Sequence, residues 1–190
     1  DAGYKDGENL KIEYQNAQGD QAVAQSIAES FVSDSKDLIL AIATPTAQAA
    51  YNATKEIPVL ITAVTDPIQA GLAKSLEKSE TNVTGTSDAT PIDKQFALIR
   101  ELLPESKKVG IVYNTSELNS EVQVAQAKVI AQKYGLELVI KGVTSVNDLA
   151  QVLDSLLKEV DVLYTPTDNL IVSATPLVVK KAMENKIPLI

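Results

Sequence analysis

The fold of this chain is decided by residues 37–50, which read DLILAIATPTAQAA. The first half of this stretch is an apolar run that ends at Thr44-Pro45, and the second half is rich in alanine. A short apolar run bounded by a breaker is typical of a strand buried on both faces of a parallel sheet. Thr44 suits the N-cap of a helix and Pro45 its first position, so the stretch predicts a strand followed at once by a helix.

The same alternation of strand and helix repeats along the chain. The sequence predicts strands near residues 10–14, 38–42, 57–64, 108–113, 136–141, 160–164 and 187–190. It predicts helices near residues 21–33, 45–54, 67–76, 91–103, 120–134, 146–157 and 170–185, with Ser120 and Gln123 as a capping box. Regular alternation of this kind predicts an α/β fold built on doubly wound parallel sheets.

A small, polar stretch at residues 81–88 divides the pattern into two similar halves. We therefore predict two lobes joined by a hinge, with lobe 1 at residues 1–87 and lobe 2 at residues 88–190. In a sheet of flavodoxin-like order, residues 10–14 would be the second strand and a first strand and helix would lie upstream of Asp1. We expect the chain to lack N- and C-terminal segments; the alternative is that strands 10–14 and 38–42 pair directly.

Composition limits the function of the chain. Seventeen Lys and Arg residues against 25 Asp and Glu residues give a net charge of −8 and a pI near 4.6, which disfavours nucleic acid and anionic membranes as partners. No Cys or His is present, so thiolate nucleophiles, zinc clusters and the usual general base have no carrier. We expect no cofactor, no metal and no enzyme activity. A protein that binds a small molecule fits this composition better.

Polar residues follow the predicted parallel strands, where the carboxyl ends of the strands of each lobe meet at one rim. Thr44 and Thr46 could hold a carboxylate or simply cap a helix. Asp66 and Asp168 could each hold an ammonium group or cap the next helix. Neutral donors and acceptors follow at Asn114, Thr115 and Ser116, and Tyr14 could stack on a ligand or pack under the sheet.

Several linked motifs resemble the substrate-binding components of a family of bacterial ABC importers. These motifs are GENLKIEYQNAQGD at residues 7–20, ATPTAQA at 43–49, DPIQAGL at 66–72, NVTG at 82–85, KQ at 94–95, LLP at 102–104, VYN at 112–114 and PTDN at 166–169. The resemblance implies a type I periplasmic-binding-protein fold that closes on a ligand, which in characterised members is tryptophan or another aromatic amino acid. It also implies an ABC permease as partner and a place outside the cytoplasm, in the periplasm or lipid-anchored on the outer face of the membrane.

Transferred to this chain, the resemblance implies ligand contacts at Thr44, Thr46, Asp66, Asn114, Thr115, Ser116, Thr167, Asp168 and Asn169. Our hypothesis places the ligand carboxylate at the helix near Pro45, its ammonium on Asp168, and its side chain against an aromatic residue such as Tyr14. An alternative is the effector-binding core of a LacI-like transcriptional repressor, which shares the two-lobed fold. An α/β enzyme is a third reading, which the missing His and Cys disfavour.

Overall fold

The computed structural model describes residues 2–190 and contains two separate sheets, each of three parallel strands. The predicted α/β architecture is therefore present. The predicted division between residues 87 and 88 falls at the end of the first sheet. Below, lobe 1 denotes the chain up to that point and lobe 2 the chain after it.

Lobe 1 carries the first sheet, in the strand order β1-β2-β3. Its elements are α1 (Gln21–Ser33), β1 (Ile39–Ile42), α2 (Thr44–Ala53), β2 (Val59–Val64) and β3 (Val83–Ser87). The apolar residues of β1 and β2 that face α2 form a core together with Leu72 and Val83. The opposite face of β1 is open, because Leu38, Leu40 and Ile42 are all exposed.

Lobe 2 carries the second sheet, in the order β5-β4-β6. Its elements are α3 (Ile92–Leu102), β4 (Lys108–Asn114), α4 (Leu118–Lys133), β5 (Glu137–Val143), α5 (Val146–Leu156), β6 (Val162–Tyr164), α6 (Asn169–Ser173) and α7 (Thr175–Asn185). Successive β4 residues face opposite sides, so Val109 and Ile111 pack in one core and Val112 in another. Residues 188–190 lie beside β6, where the Leu163 N–H donates to the Pro188 carbonyl at 2.8 Å.

The predicted strand at residues 10–14 does not form. Residues 11–17 have no regular structure, and the side chains of Leu10, Ile12 and Tyr14 are exposed. A strand needs a neighbouring ladder for its N–H and C=O groups, and β1 pairs with β2 rather than with this segment. The alternative of direct pairing is therefore wrong as well. Glu13 still holds the segment against the rest of lobe 1 through an ion pair with Lys36 at 2.6 Å.

The predicted helix at residues 67–76 is replaced by turns. The carboxylate of Asp66 accepts hydrogen bonds from the N–H groups of Ile68 and Gln69, which starts a single turn. Gly71 then adopts a φ of +72°, a left-handed conformation that ends helical winding. The turn serves to bury Leu72 in the core of lobe 1.

The predicted capping box is also wrong. Helix α4 begins at Leu118, two residues before the expected cap, and Ser120 lies inside its first turn. The Ser120 hydroxyl donates to the carboxylate of Asp168 at 2.7 Å. The side-chain amide of Gln123 donates to the Thr167 hydroxyl at 2.6 Å and to the Asn119 carbonyl at 3.0 Å, and it makes no capping bond. Both side chains thus connect α4 to the loop after β6, which brings that loop to the rim of lobe 2.

Candidate ligand-binding cleft

A cleft of about 700 Å³ lies between the two lobes and is lined from both sides. Lobe 1 contributes residues 16–22, 24, 42, 43, 45 and 46, and lobe 2 contributes residues 114, 116, 117, 144, 146, 169, 170 and 173. These positions follow the carboxyl ends of β1, β4 and β5 or lie at the starts of α1, α2, α5 and α6. The facing rims predicted from the sequence therefore enclose one shared hollow.

On the lobe 1 side, the cleft meets the N-terminus of α2. No side chain caps this helix, and the first-turn N–H groups of a helix have no intrahelical partners. Ala43 precedes α2 with φ 76° and ψ 157°, a conformation that alanine rarely adopts. Its N–H nevertheless donates to the Thr62 carbonyl of β2 at 3.0 Å. The strained residue thus turns the chain from β1 into a helix whose start borders the cleft.

The two threonines at the start of α2 have different surroundings. The hydroxyl of Thr46 borders the cleft but lies against the backbone carbonyls of Ile42 and Ala43, at 2.9 Å from the latter. The side chain of Thr44 is buried and outside the cleft lining, and its oxygen has no hydrogen-bond partner among the described residues. The donors that α2 can offer to a ligand are therefore backbone N–H groups.

On the lobe 2 side, a buried carboxylate organises the rim. Glu117 is 5% exposed and accepts hydrogen bonds from the side-chain amides of Asn114, Asn119 and Asn169, at 3.0, 3.2 and 2.5 Å. It also accepts from the backbone N–H groups of Asn169 and Leu170, at 3.0 and 3.2 Å, where α6 begins. Charge-assisted bonds of this kind fix their partners firmly. Glu117 therefore holds two cleft-lining asparagines in place.

Asp168 lies behind this rim. It is 1% exposed, and its carboxylate accepts from the N–H of Asn114 at 2.6 Å, the hydroxyl of Ser120 at 2.7 Å and the N–H of Ile171 at 2.9 Å. Burial raises the pKa of this carboxyl above its usual range, and these three hydrogen bonds oppose the rise. The side chain is directed at the backbone of β4 and α6 and does not line the cleft.

The charge of the cleft is negative. Asp20 and Glu117 both line it, and no lysine or arginine does so in the part of the chain that the structure describes. Asp20 is the N-cap of α1, and one of its oxygens accepts from the N–H groups of Ala22 and Val23 at 2.8 and 3.0 Å. An anionic group of a ligand would therefore meet neutral donors, and a cationic group would meet carboxylates.

The structure brings together four of the ten residues that the sequence singled out. Thr46, Asn114, Ser116 and Asn169 line the cleft, whereas Thr44, Asp66, Thr115, Thr167 and Asp168 do not. Tyr14 is 76% exposed and also lies outside the lining, because the segment that carries it joins no sheet. The geometry gives Tyr14 no stacking contact in the cleft and gives Asp168 no exposed oxygen for an ammonium group.

Two further aromatic side chains near strand ends, Tyr113 and Tyr164, pack within lobe 2. Tyr164 is buried beside Phe96, with the ring centroids 5.3 Å apart, and its hydroxyl donates to Gln95 at 2.9 Å. Burial raises the pKa of Tyr164 to about 12. Tyr113 is half-buried against the same core. Both rings therefore support the sheet.

Sequence reasoning missed the loop at residues 16–20 as part of the cleft. Its Gly19-Asp20 pair, followed by a helix, is a visible signal, because Asp is a preferred N-cap. Glu117, Thr144, Val146, Leu170 and Ser173 were missed too. These residues carry no motif, and only the packing of α5 and α6 against β4 and β5 brings them to the rim.

Within residues 2–190, no group of three or more acidic residues is arranged to hold a metal ion. None of the helices in the same range has both the length and the apolar character that crossing a bilayer requires.

Comparisons with known proteins agree with this architecture. A family model described as ABC transporter substrate binding protein matches residues 1–190. A curated tyrosine-binding protein from Clostridioides difficile (strain R20291) is 58% identical over 190 residues, which are all of this chain and 55% of that protein. The chain thus spans about half the length of this relative.

Two solved structures differ in how well they superpose on the chain. A Streptococcus pneumonia ABC domain in complex with L-Trp is 41% identical and gives a TM-score of 0.94, covering 98% of this chain and 63% of that one. A ligand-free, open substrate-binding protein with adhesive properties from Clostridium difficile is 56% identical, with the same coverages, and gives 0.63.

The lower score belongs to the protein with the more similar sequence. Sequence divergence therefore does not account for it, whereas an open placement of the lobes would lower the score in this way. The two lobes of this chain are placed as in the L-Trp-bound relative and not as in the open one.

Proposed function

The chain belongs to the family of ABC transporter substrate-binding proteins, and we propose that it provides the cleft in which an extracytoplasmic binding protein captures an aromatic amino acid. One observation carries this proposal: a cleft lined from both lobes, in the lobe arrangement of an L-Trp-bound relative. The resemblance found in the sequence is confirmed at this level. The same family match disfavours the repressor core and the enzyme, since the family consists of solute-binding proteins.

In the proposed complex, the ligand carboxylate lies at the N-terminus of α2. The uncapped first turn supports this placement, because its free N–H groups and the positive end of the helix dipole favour an anion. Thr46 contributes its backbone N–H, since its hydroxyl faces carbonyl groups. The ligand needs no arginine here, because a helix start is a sufficient partner for a single carboxylate.

The ligand ammonium lies towards the acidic groups of the cleft. Glu117 and Asp20 are the carboxylates that line it, and Asn114 and Asn169 offer amide oxygens beside Glu117. We assign Asp168 a positioning role in place of the predicted ion pair, because it holds the Asn114 backbone from behind the rim. The aromatic side chain lies against Ile42, Val146 and Leu170, which are the larger apolar lining residues.

Contact with both rims is the basis of the mechanism. A ligand that touches α2 and the lobe 2 rim at once stabilises the closed arrangement over the open one, and only such differential binding can shift the equilibrium. The transporter then distinguishes the closed form. We propose an ABC permease as the partner, and a periplasmic or lipid-anchored position on the outer face of the membrane.

Calorimetric titration of the full-length protein with L-Trp, L-Tyr, L-Phe and L-Leu tests the ligand class. We expect binding of at least one aromatic amino acid and weaker binding of L-Leu. Asn169→Ala should weaken aromatic binding about tenfold or more, because it removes from the rim an amide that makes a charge-assisted hydrogen bond to Glu117. The control is Asn185→Ala, which removes an exposed amide at the end of α7. Absence of binding for all three aromatic ligands would refute the proposed function.

A further inference from the structure

Apart from the local contacts at the connection near residue 87, two side-chain hydrogen bonds join the lobes among the described residues. The amide of Gln21 donates to the backbone carbonyl of Ser116 at 2.6 Å, between the first residue of α1 and the loop after β4. The hydroxyls of Thr65 and Thr167 lie 3.3 Å apart, between the ends of β2 and β6. Gln21 and Ser116 line the cleft, whereas Thr65 and Thr167 do not. The two bonds therefore join the lobes at different places, one inside the cleft and one outside its lining.

The lobe 2 members of both pairs are held rigidly. The Ser116 N–H donates to the side chain of Asn114 at 3.0 Å, and Asn114 is in turn bound to Glu117. Thr167 is fixed by the buried side chain of Gln123, which donates to the Thr167 hydroxyl at 2.6 Å and accepts from its N–H at 3.1 Å. Neither partner can follow a lobe that moves away.

Gln123 also connects this side of the cleft to the segment between the lobes. Its side-chain oxygen lies 3.5 Å from the hydroxyl of Thr90, three residues beyond β3. One buried amide therefore contacts both the interlobe connection and the loop that meets Thr65. Leu118, at the start of α4, adds an apolar contact with the core of lobe 1.

The two hydrogen bonds differ in expected strength. A distance of 2.6 Å is short for an amide donor, whereas 3.3 Å is long for a hydroxyl pair. Gln21 is exposed and extends its amide from the helix start, so it reaches the Ser116 carbonyl only while the two rims are close. Neither bond can survive a separation of the rims by more than about 1 Å.

We propose that Gln21 and Thr65 form a two-point latch that stabilises the closed arrangement of the lobes independently of the ligand. A single hydrogen bond of this kind changes an equilibrium by about twofold to tenfold. The latch therefore sets how often the empty protein closes. It rests on the proposed function only for its effect on ligand affinity, because a population that is already closed binds more tightly.

The test measures closure in the absence of ligand. Residues 1–190 contain no cysteine, so Ser30→Cys and Ser155→Cys, at two exposed serines on α1 and α5, provide one spin-label site on each lobe. Pulsed electron–electron double resonance on the full-length, ligand-free protein then gives the distribution of distances between the two spin labels, one on each lobe. We expect Gln21→Ala to lower the ratio of closed to open molecules about fivefold, and Thr65→Val about twofold.

Each variant has a matched control. Gln25→Ala removes an amide one turn further along α1, where it bonds to Glu29 at 2.9 Å within the helix. Thr86→Val removes a hydroxyl that lies 3.3 Å from Thr62, the same separation as in the latch but inside lobe 1. Both controls should leave the distance distribution unchanged. Equal distributions for Gln21→Ala and wild type would overturn the proposal, as would equal shifts in a variant and its control.

The design also separates the latch from the proposed function. If Gln21 served only to contact a ligand, its loss would weaken binding without changing the distances in the empty protein. If no aromatic amino acid bound but the distances in Gln21→Ala still shifted, the latch would be supported and the proposed ligand class would be wrong. Circular dichroism of each variant confirms that the lobes are folded, and Gln21→Asn, one methylene shorter, should behave like Gln21→Ala.

Discussion

The two rims of the cleft are built in different ways. Beside the Asp20 carboxylate, lobe 1 presents backbone: an uncapped helix start, reached through Ala43 in a strained conformation. Lobe 2 presents side chains: asparagines held by the buried carboxylates of Glu117 and Asp168. Both rims lie at the carboxyl ends of parallel strands, so the fold alone does not determine which kind of rim forms.

This difference teaches where each rim is sensitive to substitution. A rim of backbone groups persists through most side-chain changes and depends on conformation. A rim of buried carboxylates depends on individual residues, because removal of one acceptor leaves several buried donors without partners. Substitutions in lobe 2 should therefore have larger effects than substitutions in lobe 1, and the following experiments test that order.

Glu117→Leu should have the largest effect. The substitution leaves the amides of Asn114, Asn119 and Asn169 and two backbone N–H groups without their acceptor, and we expect a loss of about 3 kcal/mol in the free energy of unfolding. Urea denaturation measures this change. Glu121→Leu, on the exposed side of α4, is the control and should change stability by less than about 0.5 kcal/mol. Similar losses in both variants would show that Glu117 does not organise the rim.

Asp168→Asn should have a smaller, pH-dependent effect. The amide cannot accept all three hydrogen bonds, so we expect a loss of about 1–2 kcal/mol in stability. The pKa of Asp168 is raised in the folded state, so the protein gains stability from its protonation below the ordinary value of 3.8 and loses that gain as pH rises through the raised pKa.

The asparagine variant has no such titration. The advantage of wild type over Asp168→Asn, measured by urea denaturation between about pH 4 and about pH 7, should therefore shrink as pH rises. An advantage that grew with pH would show that the hydrogen bonds outweigh burial and that the pKa of Asp168 is lowered.

Ala43→Gly tests the strain in the lobe 1 rim. Glycine adopts a positive φ without steric cost, so we expect a gain of about 0.5–1 kcal/mol in stability after the loss of backbone entropy. Ala47→Gly, four residues further along inside α2, should instead cost about 1 kcal/mol. The melting temperatures of the two variants should thus shift in opposite directions from that of the wild type. A lower melting temperature for Ala43→Gly would show that the backbone conformation of Ala43 does not cost stability.

Tyr14→Ala should have the smallest effect. The ring is mostly exposed and outside the cleft lining, so we expect aromatic amino acid affinity within about twofold of wild type. Calorimetry measures it, and Tyr4→Ala, another exposed tyrosine of the same N-terminal segment, is the control. A tenfold loss of aromatic amino acid affinity in Tyr14→Ala, but not in Tyr4→Ala, would show that the Tyr14 ring contacts the ligand. Lobe 1 would then contribute an aromatic side chain as well as backbone.

The sequence predicts those parts of the fold that depend on local pattern. The apolar run before Thr44-Pro45 and the helix after it form as their patterning predicts. The predicted cap is wrong: Ala43 is the N-cap, and Thr44 is the first helical residue and makes no capping hydrogen bond. Residues 10–14 alternate correctly for a strand and still form none, because a strand depends on a neighbour that its own residues do not specify. Gly71 ends the turn after Asp66 where apolar spacing suggested a helix.

The site was less predictable than the fold. Asn114, Ser116, Asn169 and Thr46 could be placed in the cleft because parallel strand ends share one rim. The direction of a carboxylate could not be predicted: Asp168 follows a strand as a ligand-binding residue would, yet its oxygens face the backbone of β4 and α6. Glu117 belongs to no motif, and its role appears only when three separate segments converge on it.

The sign of the cleft charge restricts what such a protein could import. With Asp20 and Glu117 at the walls and no basic side chain among the described lining residues, a solute with a second negative group would be repelled. The cleft would bind glutamate-like, phosphorylated and dicarboxylate solutes poorly whatever their shape, and it would accept zwitterions of zero net charge. Selection by net charge would then precede selection by side chain, and it would weaken in concentrated salt.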